Sequence, residues 1–154
     1  MSTSTTTPQL QASVICEDVR QEVNGSQTLV GVLTIIPAAK TPVGVLKLCV
    51  WTRWMNGTGK FKQTAKIVAP DQRTVLGEAS VDFEMKGGNS QATNVNFFAG
   101  LQFKDFGMHH VEVALDGRLV ARYPLVVAQT RQQAPAAVPA PAPAAAAKTT
   151  GTKK

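Results

Sequence analysis

The sequence predicts an all-β domain, a two-sheet antiparallel β-sandwich of seven to eight strands. Three observations carry this. Apolar and polar residues alternate in strand-length runs from Gln11 to Ala128, the period of a half-buried strand. Tight-turn dipeptides cut these runs, among them Asn24-Gly25, Asn56-Gly57 and Asp116-Gly117. No segment carries an apolar stripe at a spacing of 3.6 residues, so no helix competes for the core.

Each element follows in order. Residues 1–9 are a Ser/Thr leader with too little apolar content to order itself. Gln11–Asp18 alternates as a first strand, and Asn24-Gly25 supplies the positive-φ pair of a hairpin turn. Gln27–Ile36, rich in Val, Leu, Ile and Thr, reads as one second strand, with Gly31 marking a bulge or a close backbone approach. Pro37 and Pro42 bracket a loop. In the third strand, Val45–Met55, Leu46, Leu48, Val50 and Thr52 share one face, while Lys47, Cys49, Trp51 and Arg53 share the other. Asn56–Gly59 reads as a hairpin turn into a fourth strand, Lys60–Ala69. There Phe61, Ala65 and Ile67 point inward, Lys60, Lys62 and Lys66 point outward, and Gln63 is a polar exception on the inner face. Pro70-Asp71-Gln72 turns the chain into Val75–Lys86. A sixth strand covers Thr93–Phe98, and Leu101–Phe106 is read as either a helical turn or an irregular crossover. Met108–Leu115 and Arg118–Val127 close the domain around Asp116-Gly117. Short strands with a turn every 8–12 residues or so are the pattern of an immunoglobulin-like or similar sandwich. The domain is placed at residues 10–129. From 130 to 154 the chain becomes an Ala/Pro-rich tail ending in Lys148, Lys153 and Lys154, expected to be extended and solvated.

Composition bounds the function. Hydrophobic residues make up 44% of the chain and charged residues 17%, an ordinary globular balance. The formal charge is +6, but 12 Lys+Arg against 10 acids between Gln9 and Thr130 leave the domain near +2. A domain of that charge has no strong field to steer phosphate. The remaining excess sits in the tail, where a contact to an acidic surface such as nucleic acid or lipid is one reading and a solubilising role the other. The N-terminus has no basic-then-apolar leader and no run is long enough for a spanning helix, so cytoplasmic residence is expected. Cys16 and Cys49 then read as buried thiols rather than a disulfide. On the same ground Asn24-Gly-Ser26 and Asn56-Gly-Thr58, which match the glycosylation sequon, are read as turns.

Candidate chemistry is sparse. His109 and His110 are adjacent in a strand, so they face opposite ways and do not share a ligand. An enzyme built on His110 with Asp82 or Glu112 would need a pocket that gathers them. No zinc-binding spacing, calcium loop or nucleophile elbow is present, and Gly57-Thr-Gly59-Lys60 lacks the full phosphate-loop pattern. No catalytic residue, metal or cofactor is expected. The surface singled out is Trp51, Arg53, Trp54, Lys60, Lys62 and Lys66. If the third and fourth strands form a hairpin, these residues line one face able to stack bases or sugars beside cations. The leading expectation is a non-enzymatic binding or scaffold module that engages a protein partner by a sheet edge or face. The alternative is a module for single-stranded nucleic acid or glycan through the Trp/Lys/Arg face. The oligomeric state stays open.

One resemblance adds to this. Ile15-Cys16-Glu17-Asp18, followed by Gly25 and Leu29-Val30-Gly31-Val32, resembles the opening of a family of short bacterial all-β proteins of unknown function. That family begins with a strand ending in Cys-Asp, then a Gly turn, then Leu-Ile-Gly-Val. The close is similar too: Gly107-Met108-His109-His110-Val111, Asp116-Gly117 and Pro124-Leu125-Val126-Val127. Glu17 stands between Cys16 and Asp18 as a departure from the pattern. The resemblance spans residues 12–128; it implies a β-sandwich of bacterial origin and no site.

Overall fold

The computed structural model describes residues 4–131. The tail and its lysines from 132 onward, with the first three residues, lie outside the described residues. The chain is a two-sheet β-sandwich with nine strands among those residues: β1 (Gln9–Gln21), β2 (Gln27–Val32), β3 (Ile35–Ala38), β4 (Val43–Met55), β5 (Thr58–Val68), β6 (Val75–Lys86), β7 (Gln91–Phe103), β8 (Gly107–Leu115) and β9 (Arg118–Gln129). One sheet has the order β2-β1-β4-β7, the other β3-β9-β8-β5-β6. All pairings are antiparallel except β3 with β9.

Between the sheets lies an apolar core to which Leu48, Val50, Phe61, Ile67, Phe103, Val111, Val113, Leu125 and Val127 contribute. These are the inward positions of the alternation. Hairpins form at both Asn24-Gly25 and Asp116-Gly117, but at the first only Gly25 takes positive φ (84°), so the expected positive-φ pair is absent there. Asp116 and Gly117 both take positive φ (48° and 80°), the conformation a type I′ turn demands.

Several expectations are corrected. Among the described residues there are nine strands rather than seven or eight. The single second strand is two: after Val32 the chain leaves β1, and β3 pairs with β9 in the opposite sheet. Gly31 sits at φ +63°, and a Cβ there would lie 2.7 Å from the Glu17 carboxylate, so what approaches it closely is a side chain rather than another backbone. The ambiguous stretch after Phe98 is not helical. It belongs to β7, whose pairing with β4 keeps one register from Gln91 to Phe103 but skips Gly100 and Leu46, where Gly100 takes a left-handed conformation and Leu46, expected inward, is 90% exposed. Part of the leader is tied down. Thr6 and Thr58 exchange two backbone hydrogen bonds at 3.0 Å, and Pro8 is buried against Gly57.

The largest correction concerns Asn56-Gly57. β4 and β5 are not a hairpin; they lie in different sheets. Only Asn56 takes positive φ (60°), so the two-residue I′ geometry is absent. Gly57 is needed for space instead, because a Cβ there would strike Pro8 and Met85 at 2.7 Å. The short connection carries the chain across the end of the sandwich. As a result Trp54 on β4 and Gln63 on β5 meet inside it, Trp54 Nε1 donating to Gln63 Oε1 at 2.6 Å.

That contact belongs to a buried polar network joining the layers. Gln63 Oε1 also accepts from Thr52 Oγ1 at 2.6 Å and from Asn94 Nδ2 at 3.1 Å. Gln63 Nε2 donates to Asn96 Oδ1, and Asn96 Nδ2 donates to the Ala79 carbonyl at 2.9 Å. All four polar side chains and Trp54 are buried, and each finds a partner, as buried polar groups must. A second tie crosses the sandwich between Ser13 Oγ and the Tyr123 hydroxyl at 3.0 Å. Burial pushes the Tyr123 phenol up to about 12.

Candidate functional site

The six residues expected to share one face are separated by the crossing at Asn56-Gly57. Trp54 is in the core. Trp51 and Arg53 lie on the outward face of the four-stranded sheet, and Lys60, Lys62 and Lys66 lie on the outward face of the five-stranded sheet. The lysines are also matched by acids. Across the β5–β6 ladder Lys60 stands opposite Glu84, Lys62 opposite Asp82 and Lys66 opposite Glu78, the last with Nζ 3.4 Å from the carboxylate. One strand further, Glu112 faces Arg122 at 3.4 Å. A shallow depression of about 530 Å3 at Lys60 and Lys62 is walled by Asp82, Glu84 and Asp116. The lysine face is thus a lattice of compensated charge.

The same sheet is apolar at its other end. Ile35 pairs with Val126 and Val126 with Met108, so three outward side chains form a row across β3, β9 and β8. Ile35 is 49% exposed and Met108 53%. Beside the row, Val14, Val32, Tyr123 and Pro124 line a groove of about 520 Å3 where the two sheets meet. The row was legible in principle: His109 inward fixes Met108 outward, and Ile36 inward fixes Ile35 outward.

His109 and His110 point to opposite faces, as their adjacency requires. His109 is fully buried, edge-on to Phe103 with ring centroids 5.1 Å apart. Its Nδ1 lies 3.3 Å from the Gly107 carbonyl and its Nε2 has no partner. Burial pushes its pKa below the ordinary imidazole value, against a smaller opposing effect of the Gly107 carbonyl. Neither imidazole forms an ion pair among the described residues. Glu112 is engaged with Arg122, and Asp82 is on β6, with β5 between it and β8. The residues named for acid–base work are therefore not gathered. No group of three or more metal-ligating side chains occurs among the described residues.

The outward face of the four-stranded sheet is organised differently. β1 stays beside β4 only as far as Cys16 opposite Cys49, while its pairing with β2 continues to Gln21 opposite Gln27. Trp51 stands opposite Val14, seven residues back along β1, or about 23 Å in an extended strand. Yet Trp51 Nε1 donates to Gln27 Oε1 at 2.7 Å. The β1–β2 hairpin must therefore curl back over the sheet's outward face. Two further contacts pin its root: Lys47 Nζ bonds the Asp18 carboxylate, and Cys49 Sγ approaches the Glu17 carbonyl at 3.8 Å. Hydrogen bonding from Lys47 lowers the Asp18 pKa. Cys16 and Cys49 lie on this outward face, yet both are fully buried free thiols, and burial raises Cys16 to about 11. Between hairpin and sheet remains a cleft of about 480 Å3 lined by Gln21, Ser26, Gln27, Trp51, Arg53 and Thr93, with Gly25 and Leu29. No alternation pattern announces it, because it arises from a bend.

No helix of the described residues is long and apolar enough to cross a membrane. A search of curated proteins finds no match. Among solved structures, an immunoglobulin-like protein from Pseudomonas aeruginosa is similar at 17% identity and a TM-score of 0.34, covering 80% of this chain and 98% of that one. The model of a family of unknown function, DUF6941, matches residues 11–128. With the match spanning all but the ends of the sandwich, the chain belongs to that family.

Proposed function

We propose that the protein is a non-enzymatic binding module that engages a protein partner through the outward face of its five-stranded sheet at edge strand β3. The observation that carries this reading is the in-register row Ile35–Val126–Met108, flanked by the apolar groove at Val32 and Tyr123. Contiguous exposed apolar surface with a polar rim is the anatomy of an interaction site. Here the rim is the ion-paired lattice of Lys66, Glu78, Glu112 and Arg122. Pro37 lies in β3 and withholds a ladder donor, which favours contact by face over strand addition at that edge.

The test is affinity capture from a native lysate with the wild type and with an Ile35→Lys/Met108→Lys variant of unchanged circular dichroism. A partner retained by the wild type and lost by the variant is the expected result. Identical recoveries from both would exclude this face.

A further inference from the structure

We propose that the cleft beneath the curled β1–β2 hairpin binds a carboxylated sugar, a hexuronate unit, with Arg53 taking the carboxylate and Trp51 the apolar face of the ring. The proposal uses the sheet face opposite to the protein-binding row and stands independently of it.

Among the described residues, Arg53 is the only charged one lining the cleft. Its Nε donates to Gln91 Oε1 at 3.0 Å, and its second guanidinium nitrogen bonds the same neutral oxygen. No carboxylate lies within ion-pairing distance of it among the described residues, whereas Lys47, Lys66 and Arg122 each have one. A guanidinium held against a neutral amide keeps further donors in a planar fork, the geometry that grips a carboxylate with two parallel bonds. Trp51 is half-buried, and its indole N–H is already committed to Gln27, which fixes the ring and leaves apolar carbon as its free surface. Gln21 Nε2 donates to the Gly25 carbonyl, Gln27 Nε2 to Gln21 Oε1 and Ser26 Oγ to Asn24 Oδ1, which leaves a second N–H on each amide, free lone pairs on the oxygens and the Thr93 hydroxyl for a polyol. The volume of about 480 Å3 suits one small ring-sized ligand. A nucleic-acid strand would demand several cations along one track; Lys60, Lys62 and Lys66 are on the other sheet, and Lys47 is paired with Asp18.

The chain has two tryptophans, and Trp54 is sealed in the core, so a ligand-induced change in emission reports Trp51. The wild type is titrated with glucuronate, glucose and acetate at constant ionic strength. The expected result is a saturable change with glucuronate, an affinity for glucose weaker by about tenfold, the worth of one charge-assisted contact, and no response to acetate alone. Arg53→Gln should abolish the preference for glucuronate while leaving the fold intact. Proton–nitrogen spectra follow the Trp51 indole and the Thr93 amide, so a silent fluorescence signal does not decide the matter. Unshifted resonances at both groups, or equal glucuronate binding by Arg53→Gln, would overturn the proposal. The Ile35→Lys/Met108→Lys variant should bind glucuronate as the wild type does.

Discussion

The two outward sheet faces are built from the same alternation of residues, yet one is covered and the other bare. On the five-stranded sheet, outward side chains meet their cross-strand neighbours, and Arg122 also reaches Gln72 in the β5–β6 turn; the result is a lattice of ion pairs beside an apolar row. On the four-stranded sheet the β1–β2 hairpin folds over the outward positions, burying two thiols and leaving a cleft around Trp51 and Arg53. The difference teaches that alternation assigns a side to each residue but not an environment. Environment depends on whether another part of the chain returns over that side.

The two faces share the interior, and the largest effect is expected where both depend on it. Gln63→Leu would strand Trp54 Nε1, Thr52 Oγ1 and the Asn94 and Asn96 amides at once. Each buried group left unpaired costs about 1–3 kcal/mol, so the loss on urea unfolding should be roughly 3 kcal/mol or more. Both faces should lose protection together, read as thiol reactivity on one and hydrogen exchange of β8 and β9 amides on the other. A cost under about 1 kcal/mol would mean that the network does not hold the sheets together.

A second substitution should separate the faces. Gly31→Val forces a β-branched residue into φ +63° and drives its Cβ into the Glu17 side chain. The strain is about 2 kcal/mol and is relieved by lifting the hairpin. Cys16 and Cys49 should then react with a thiol reagent much faster under native conditions, while β8 and β9 exchange as in the wild type. Uniform loosening of both faces would show that the hairpin is not a separable cover.

How much of this was legible follows from the same distinction. Local periodicity assigned the sides of residues 47–53 in β4 and 60–67 in β5, including the inward Gln63, and it set His109 opposite to His110; it also put Leu46 inward, where the structure leaves it 90% exposed. It misassigned Asn56-Gly57, because the dipeptide signals a tight reversal without saying whether the next strand pairs beside the last or crosses to the facing sheet. That choice rests on the space around Gly57, closed by Pro8 and Met85, which are distant in sequence. The same error placed Trp51 with the lysines. The cleft was hidden for a related reason: Gln27 reaches Trp51 only through a bend whose one visible trace is Gly31.

Acid should weaken the interior at the bare face's end through His109. Its folded-state pKa lies below the ordinary value because burial disfavours the charged form. As pH falls below the ordinary imidazole pKa of about 6.5, the unfolded chain takes a proton that the folded chain refuses, and stability is lost. The stability is fully present above that pH. His109→Phe should flatten the dependence of the unfolding midpoint between about pH 7 and pH 5. Equal slopes in the wild type and His109→Phe would assign the acid sensitivity to other groups.

The smallest effect belongs to the charge lattice itself. Lys66→Glu would set an acid against Glu78 on one side and across from Glu112 on the other. Exposed pairs are worth about 0.2–1 kcal/mol and are screened by salt, so the loss should stay within about 1 kcal/mol and shrink in high salt. The thiols beneath the hairpin should not respond at all. Were they to become reactive, charge on the bare face would be coupled through the sandwich to the covered one, and the two faces would no longer be independent surfaces.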